Sequence, residues 1–132
     1  MVNFVSLCLG VFGRFKATPS NVMAVTESTA KFNCSTTTGV VFWFVTRLNG
    51  SHEPIYKTGS VYQSFKKRFK VEEVDNDIFN LLITNIQIDD AGIYMCIDQG
   101  FGANATAELI VTGENFEHTY TTVFMFCLLY VK

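Results

Sequence analysis

Apolar and polar residues alternate with a period of two along most of the chain between Thr18 and Gly113. The alternation is clearest in three segments, whose apolar positions are Ala30, Phe32 and Cys34; Phe79, Leu81 and Ile83; and Leu109 and Val111. A period of two is typical of β-strands that bury one face. Because such segments recur along the chain with turns between them, the pattern predicts an all-β sandwich or barrel.

Stretches rich in Gly, Asn, Asp, Ser and Thr separate the alternating segments. They lie at 35–39, 48–51, 75–77 and 99–102. These residue types favour turns through their backbone freedom or their local side-chain hydrogen bonds. Only residues 86–91 suggest a helical turn, and it is a short one.

Both ends of the chain are apolar. The first run, Val2–Phe12, is shorter than the roughly 20 residues that span a bilayer and resembles the apolar region of a secretory leader. We therefore interpret residues 1–17 as a leader, with a first buried strand as the alternative. Residues 114–132 are interpreted as a stalk and the start of a truncated membrane segment, or else as an irregular tail. Cys8 and Cys127 lie in these two ends and are not expected to belong to the folded domain, 18–113.

The composition is that of one compact domain. The chain has 132 residues, 48% of them hydrophobic and 17% charged, which argues against intrinsic disorder. Its net charge of −2 excludes the strongly basic surface of a nucleic-acid-binding domain.

Residues that carry catalytic or metal-binding chemistry are few. Neither His52 nor His118 has a partner at the spacing of a metal site or of a nucleophile and its base, and no nucleotide-binding or serine-hydrolase motif occurs. The acidic residues within 72–77 are interpreted as a solvated turn and the basic run 66–68 as a strand edge. We expect no enzyme activity, no cofactor and no metal.

One segment near the end of the alternating region carries a family resemblance. Asp90-Ala-Gly-Ile-Tyr94-Met-Cys96 matches the pattern D-x-G/A-x-Y-x-C, and Leu81-x-Ile83-x-x-Ile86 matches the L-x-I-x-x-L that precedes it. Together with Cys34 and Trp43, these residues make the chain resemble an immunoglobulin domain, most nearly of the V-set type, over 18–113. The incomplete joining-segment pattern after residue 101 favours a germline-encoded receptor domain over a rearranged antibody or T-cell-receptor chain.

The resemblance implies a two-sheet Greek-key sandwich with strands lettered A to G and an added C′/C″ region, with C″ at about 60–65. It implies that Cys34 on strand B and Cys96 on strand F form a disulfide across the core. Trp43 on strand C is then expected to pack against this bridge.

Other core and base residues follow from the same resemblance. Tyr94 is expected to form a tyrosine corner, and Leu81 and Ile83 are expected to point into the core. Arg68 is expected to pair with Asp90 and close the base of the sandwich.

Alternation, counted from the inward Trp43 and Cys96, also predicts which side chains point outward. Strands G, F, C and C′ form one sheet in the family, and we name its outer side the GFCC′ face. The residues predicted to bind a partner there, including one on C′ and one at the F–G loop tip, are Phe42, Phe44, Tyr56, Ile93, Met95, Ile97 and Phe101. An exposed apolar patch marks an interaction site, unless the stalk, the tail or a neighbouring domain covers it.

Three N-x-S/T sequons begin at Asn33, Asn49 and Asn104. Asn33 alternates with the inward Cys34 and is expected to face solvent, and the other two are expected in loops. All three are predicted glycosylation sites of a secreted or cell-surface protein.

The resemblance implies an extracellular recognition module of an immune-type cell-surface receptor, which binds a protein ligand or counter-receptor through the GFCC′ face and the F–G loop. A homophilic cell-adhesion domain that forms a homodimer through this sheet is the first alternative. A structural module of an intracellular filament protein is the second. Fold alone does not identify a ligand.

Overall fold

The computed structural model describes residues 15–57, 59–100 and 102–113. Within them the chain forms eleven strands and one 3₁₀ turn at Ile88–Asp90, inside the segment predicted to be helical. The strands are β1 Phe15–Ala17, β2 Val22–Val25, β3 Ala30–Phe32, β4 Ser35–Thr36, β5 Val41–Arg47, β6 His52–Lys57, β7 Ser60–Val61, β8 Phe69–Val74, β9 Ile78–Ile83, β10 Gly92–Asp98 and β11 Ala103–Thr112.

The strands form two sheets. The larger has the order β2-β11-β10-β5-β6-β7, in which β11, β10, β5 and β6 correspond to the predicted strands G, F, C and C′. These four pair antiparallel, whereas β2 runs parallel to β11. The smaller sheet has the order β1-β4-β9-β3, with β8 also paired to β9. The structure thus confirms the predicted all-β, two-sheet sandwich.

The core lies between the sheets and follows the predicted alternation. On β5 the side chains of Val41, Trp43 and Val45 are buried, and on β10 those of Tyr94 and Cys96 are fully buried. The smaller sheet contributes its own alternate positions, among them Phe32, Leu81 and Ile83. Burial of one face of each sheet supplies the main stabilisation of the sandwich, because it removes the apolar area from water.

The C″ region is shorter than predicted. Strand β7 covers only Ser60–Val61, and turns follow it up to Arg68. Within these turns Phe65 is buried against Phe69, with the two rings edge to face and 5.0 Å between centroids. The strand ends early because Phe65 packs into the core from a turn, where its backbone forms hydrogen bonds with Arg68 and Phe69.

The first strand lies N-terminal to residue 18, where we expect the folded domain to begin. Strand β1 starts at Phe15, inside the range 1–17 that we interpret as a leader, and Phe15 pairs with Thr36 and is buried. The strand begins at Phe15 because the apolar ring of this residue packs into the core. Residues 1–14 and 114–132, with Cys8, Cys127 and His118, lie outside the described residues. Among the described residues, no helix is long and apolar enough to cross a membrane.

Candidate recognition face

The residues predicted to hold the sandwich together are brought together in the structure. Cys34 and Cys96 form a disulfide with 6.5 Å between their Cα atoms. Trp43 is fully buried and donates a hydrogen bond from Nε1 to the carbonyl oxygen of Phe79, at 2.8 Å. The hydroxyl of Tyr94 donates to the carbonyl oxygen of Asp90, at 2.6 Å, and burial raises the pKa of this tyrosine. The disulfide and the Trp43 hydrogen bond join β10 and β5 to the opposite sheet, and the Tyr94 hydrogen bond holds β10 to the 3₁₀ turn that precedes it.

An ion pair closes the base of the sandwich. Arg68 donates from Nη1 and Nη2 to the two carboxylate oxygens of Asp90, at 2.6 and 2.9 Å. The Asp90 side chain is fully buried and also accepts a hydrogen bond from the backbone N–H of Gln87. Its hydrogen bonds to Arg68 raise the pKa of the guanidinium. Sequence analysis missed Arg47, which donates to the Glu53 carboxylate at 2.8 Å beside this pair.

The register of the larger sheet arranges the outward side chains in three rows across it. Apolar residues occupy the middle strands, β5 and β10, except at Thr46, and polar residues occupy the flanks, except at Pro54. The first row contains Phe42 of β5, Ile97 of β10 and Asn104 of β11. The second and third rows begin on β6 and then cross β5, β10 and β11: they are Pro54, Phe44, Met95 and Thr106, and His52, Thr46, Ile93 and Glu108.

The centre of the GFCC′ face is an apolar patch. Its members are Phe42, Phe44, Ile93, Met95 and Ile97; the first two and the last two are half-buried, and Ile93 is 41% exposed. A sheet face that meets only water normally alternates between apolar inward and polar outward residues. On these two strands most outward residues are apolar as well, with Thr46 as the exception.

The β6 flank of the patch carries two basic side chains that the sequence did not place there. The ammonium of Lys57 lies 5.2 Å from the centroid of the Phe42 ring, in a cation–π contact. His52 lies in β6, where its ring stacks on Phe44 with 5.1 Å between centroids. Its Nδ1 lies 2.8 Å from the hydroxyl of Thr46. The flank therefore supports the aromatic rings of the patch.

Tyr56 does not border the GFCC′ face, contrary to the sequence prediction. A register shift opposite Trp43 places two successive β6 residues, Ile55 and Tyr56, toward the core, and both are buried. The cause is a β-bulge, in which two residues oppose one on the neighbouring strand. The Tyr56 hydroxyl donates to the Glu73 carboxylate, and burial raises the pKa of Tyr56.

A buried carboxylate at the end of β10 supports the F–G connection. Asp98 is fully buried and accepts hydrogen bonds from the hydroxyls of Thr36 and Thr38, at 2.8 and 2.6 Å, and from the N–H of Gly100, at 2.9 Å. Sequence analysis missed it, although an Asp two residues before a Gly is a turn signal. Phe101, the predicted anchor of this loop, lies outside the described residues.

The three sequon asparagines are all exposed, but they lie on different surfaces. Asn33 follows β3 in the smaller sheet, and Asn49 lies in the connection between β5 and β6. Asn104 lies in β11 and not in a loop, and it faces outward opposite Ile97. The prediction of a loop was wrong because β11 begins directly after Gly102.

The described part of the chain contains no cluster of three or more His, Cys, Asp or Glu side chains that could hold a metal ion. The cavity at the base of the sandwich, of about 750 Å³, is lined by the Arg68–Asp90 pair and by Arg47 and Glu53. These charged groups are bonded to one another. The charged side chains that line the cavity are therefore already engaged in ion pairs that hold the base of the sandwich together.

Solved structures similar to this chain share its fold. One shows Dpr1 IG1 bound to DIP-eta IG1, with 17% identity, a TM-score of 0.62, and coverage of 75% of this chain and 94% of that chain. A structure of murine CRIg has 23% identity, a TM-score of 0.55, and coverage of 73% and 95%. Dpr11 IG1 bound to DIP-gamma IG+IG2 has 20% identity, a TM-score of 0.60, and coverage of 75% and 50%.

No curated protein sequence matches the chain. The family model of the immunoglobulin V-set domain matches residues 17–112, which is most of the chain and almost all of the sandwich. Proteins of this family are recognition and adhesion modules and not enzymes. With the disulfide, the two-sheet sandwich and this match in agreement, the chain belongs to the immunoglobulin V-set domain family.

Proposed function

We propose that this chain is the extracellular protein-recognition domain of an immune-type cell-surface receptor and that it binds its partner through the GFCC′ face and the F–G loop. The observation that carries the proposal is the apolar patch at the centre of the face. Its five side chains occupy adjacent strands and remain partly open to solvent. Contiguous apolar surface on a soluble domain marks a site that another surface covers.

The shape and chemistry of the face favour a protein as the partner. Small-molecule sites are concave, whereas the patch lies on the pleated surface of a sheet. An apolar centre with a polar rim is the usual anatomy of a protein–protein interface. Here Lys57, His52, Asn104 and Glu108 supply the rim. Two of the similar structures show Ig domains bound to other Ig domains, which supports a partner of the same class.

The disulfide supports the extracellular part of the proposal. Cys34 and Cys96 are both fully buried and bonded, and such bonds persist in oxidising compartments such as the secretory pathway. This observation weighs against the alternative of an intracellular filament module. The three exposed sequons are consistent with the same compartment.

Homophilic adhesion is the second candidate, and the polar side chains on the two flanks favour it. A two-fold axis parallel to the strands places the β6 flank of one copy opposite the β11 flank of the other. The third row then brings His52 toward Glu108 of the second copy, because both lie at the level of Thr46. A hydrogen bond between the imidazole of one copy and the carboxylate of the other would fix the register of such a dimer.

The proposal is tested with the full chain made in a host without N-glycosylation. We expect it to self-associate at micromolar or higher concentration in sedimentation velocity, or to bind a member of a panel of Ig-domain ectodomains. Phe44→Asp places a charge in the middle of the patch and should abolish either association, because burying an unpaired charge is costly. Val74→Asp is the matched control, since Val74 is an exposed apolar residue of the other sheet.

Association that responds equally to Phe44→Asp and Val74→Asp would contradict the role of the face. So would a wild-type chain that stays monomeric, binds no ectodomain and binds no apolar dye. Thermal unfolding of each variant serves as the folding control. We expect Phe44→Asp to remain folded, because the Phe44 side chain points away from the core.

A further inference from the structure

The sequon at Asn104 is placed differently from the other two. Asn104 and Thr106 are both exposed and point outward from β11, where they pair with Ile97 and Met95 of β10. Directly opposed residues on antiparallel strands have Cβ atoms about 5 Å apart. The acceptor asparagine therefore stands beside the apolar patch, on the same side of the sheet.

The other two sequons leave the GFCC′ face free. Asn33 belongs to the smaller sheet, on the other side of the sandwich. Asn49 lies at the base, in the loop between β5 and β6, where its side-chain oxygen accepts a hydrogen bond from the N–H of Ser51. A glycan at either position would extend away from the patch.

We propose that N-glycosylation of Asn104 covers one end of the GFCC′ face, so that the glycosylated chain binds its partner more weakly than the unmodified chain. This inference rests on the proposed function of the face. An N-glycan is bulky and strongly hydrated, and at Asn104 its first sugars stand over Ile97 and within reach of Phe42, the next residue of that row. A flat partner surface cannot contact these two side chains while the glycan is present.

The position of the glycan limits what it covers. The first row lies at the end of the sheet near the F–G connection, whereas Ile93 and Thr46 lie two rows away. The glycan thus removes one end of the patch and does not mask all of it. Because the loss of one or two apolar anchors from an interface changes affinity steeply, partial cover is sufficient to weaken binding.

The experiment compares the full chain secreted from cells that attach N-glycans with variants that lack one glycan each. Glycopeptide mass spectrometry measures occupancy, and sedimentation velocity measures self-association, with a second copy of the chain as the probe and apolar-dye binding as an independent readout of the open face. We expect Asn104 to be occupied. We expect Asn104→Gln to strengthen self-association and dye binding by about tenfold, and Asn33→Gln and Asn49→Gln to change neither.

Thr106 provides a matched pair of variants at one position of the face. Thr106→Ala removes the sequon and should act like Asn104→Gln, whereas Thr106→Ser keeps the sequon and should act like the wild type. An unoccupied Asn104, or equal association and dye binding for these two variants, overturns the inference while leaving the proposed function standing. If the aglycosylated chain shows neither association nor dye binding that Phe44→Asp abolishes, the proposed function fails and the inference fails with it.

Discussion

Asp90 is a single residue whose environment explains two parts of the family motif at once. Its carboxylate is fully buried and accepts hydrogen bonds from Nη1 and Nη2 of Arg68. Its backbone carbonyl oxygen accepts a hydrogen bond from the hydroxyl of Tyr94. Removing a partner from a buried pair is costly, because the remaining charge has lost its solvation without compensation. The motif residue is thus a structural group at the base of the sandwich and not a catalytic acid.

We expect Asp90→Ala to lower the free energy of unfolding by about 2–3 kcal/mol. The loss should stay below the roughly 3–5 kcal/mol of fully buried pairs, because the Arg68 side chain is 25% exposed and regains water. Chemical denaturation measures it. Asp77→Ala is the control, since Asp77 pairs with the exposed Lys16, and its effect should stay within about 0.5 kcal/mol. Equal midpoints for the two variants would remove the structural role assigned to Asp90.

At the scale of elements, the disulfide joins β10 in the larger sheet to the segment between β3 and β4 in the smaller one. The two cysteines are 62 residues apart in sequence. A cross-link over a loop of this length restricts the unfolded chain strongly. The bond therefore stabilises the contact between two sheets whose strands do not pair with each other.

Peptide mapping without reduction should recover Cys34 and Cys96 in one linked fragment. Reduction should lower the free energy of unfolding by about 4 kcal/mol on the chain-entropy estimate. A Cys8→Ser, Cys127→Ser double variant is the control and should keep both the linked fragment and the stability. A fragment that links Cys34 or Cys96 to either end of the chain would contradict the pairing.

At the scale of the whole molecule, the sandwich was predictable because alternation and a few buried anchors act together. Trp43 and Cys96 fix the inward side of β5 and β10, and every second residue then follows. The prediction failed for Tyr56 because a bulge shifts the alternation without a sequence signal of its own. The C″ strand predicted at 60–65 is short because a turn, which has no fixed period, places the Phe65 ring in the core.

The polar flanks were not predictable for a related reason. Lys57 and His52 reach the patch only through the pairing of β6 with β5, and pairing register is a property of two strands. Asn104 was assigned to a loop because Gly102 signals a turn, whereas the strand begins at the next residue. Local patterns therefore predict which side of a strand is buried, but not which side chains become neighbours across the sheet.

A charge exchange tests the two-fold arrangement of two whole molecules. Glu108→Arg and His52→Glu should each weaken self-association several-fold, because each places like charges or an unpaired charge opposite the flank of the second copy. The double variant should recover most of the wild-type association, since its Glu at 52 and Arg at 108 carry opposite charges that face each other across the dimer. Sedimentation equilibrium of the aglycosylated chains measures this. Additive losses in the double variant would exclude this orientation, while leaving heterophilic binding intact.

The bulge in β6 also determines where this sheet tolerates a change in length. In β10 or β11, deletion of one residue would exchange the inner and outer sides of everything beyond it. In β6 the extra residue, Ile55, is already absorbed opposite Trp43. Its deletion would leave Tyr56 directed to the core and Lys57 beside Phe42, at the cost of one buried side chain. Strand β6 is therefore the place in the larger sheet where one residue can be lost without exchanging the inner and outer sides of the strand.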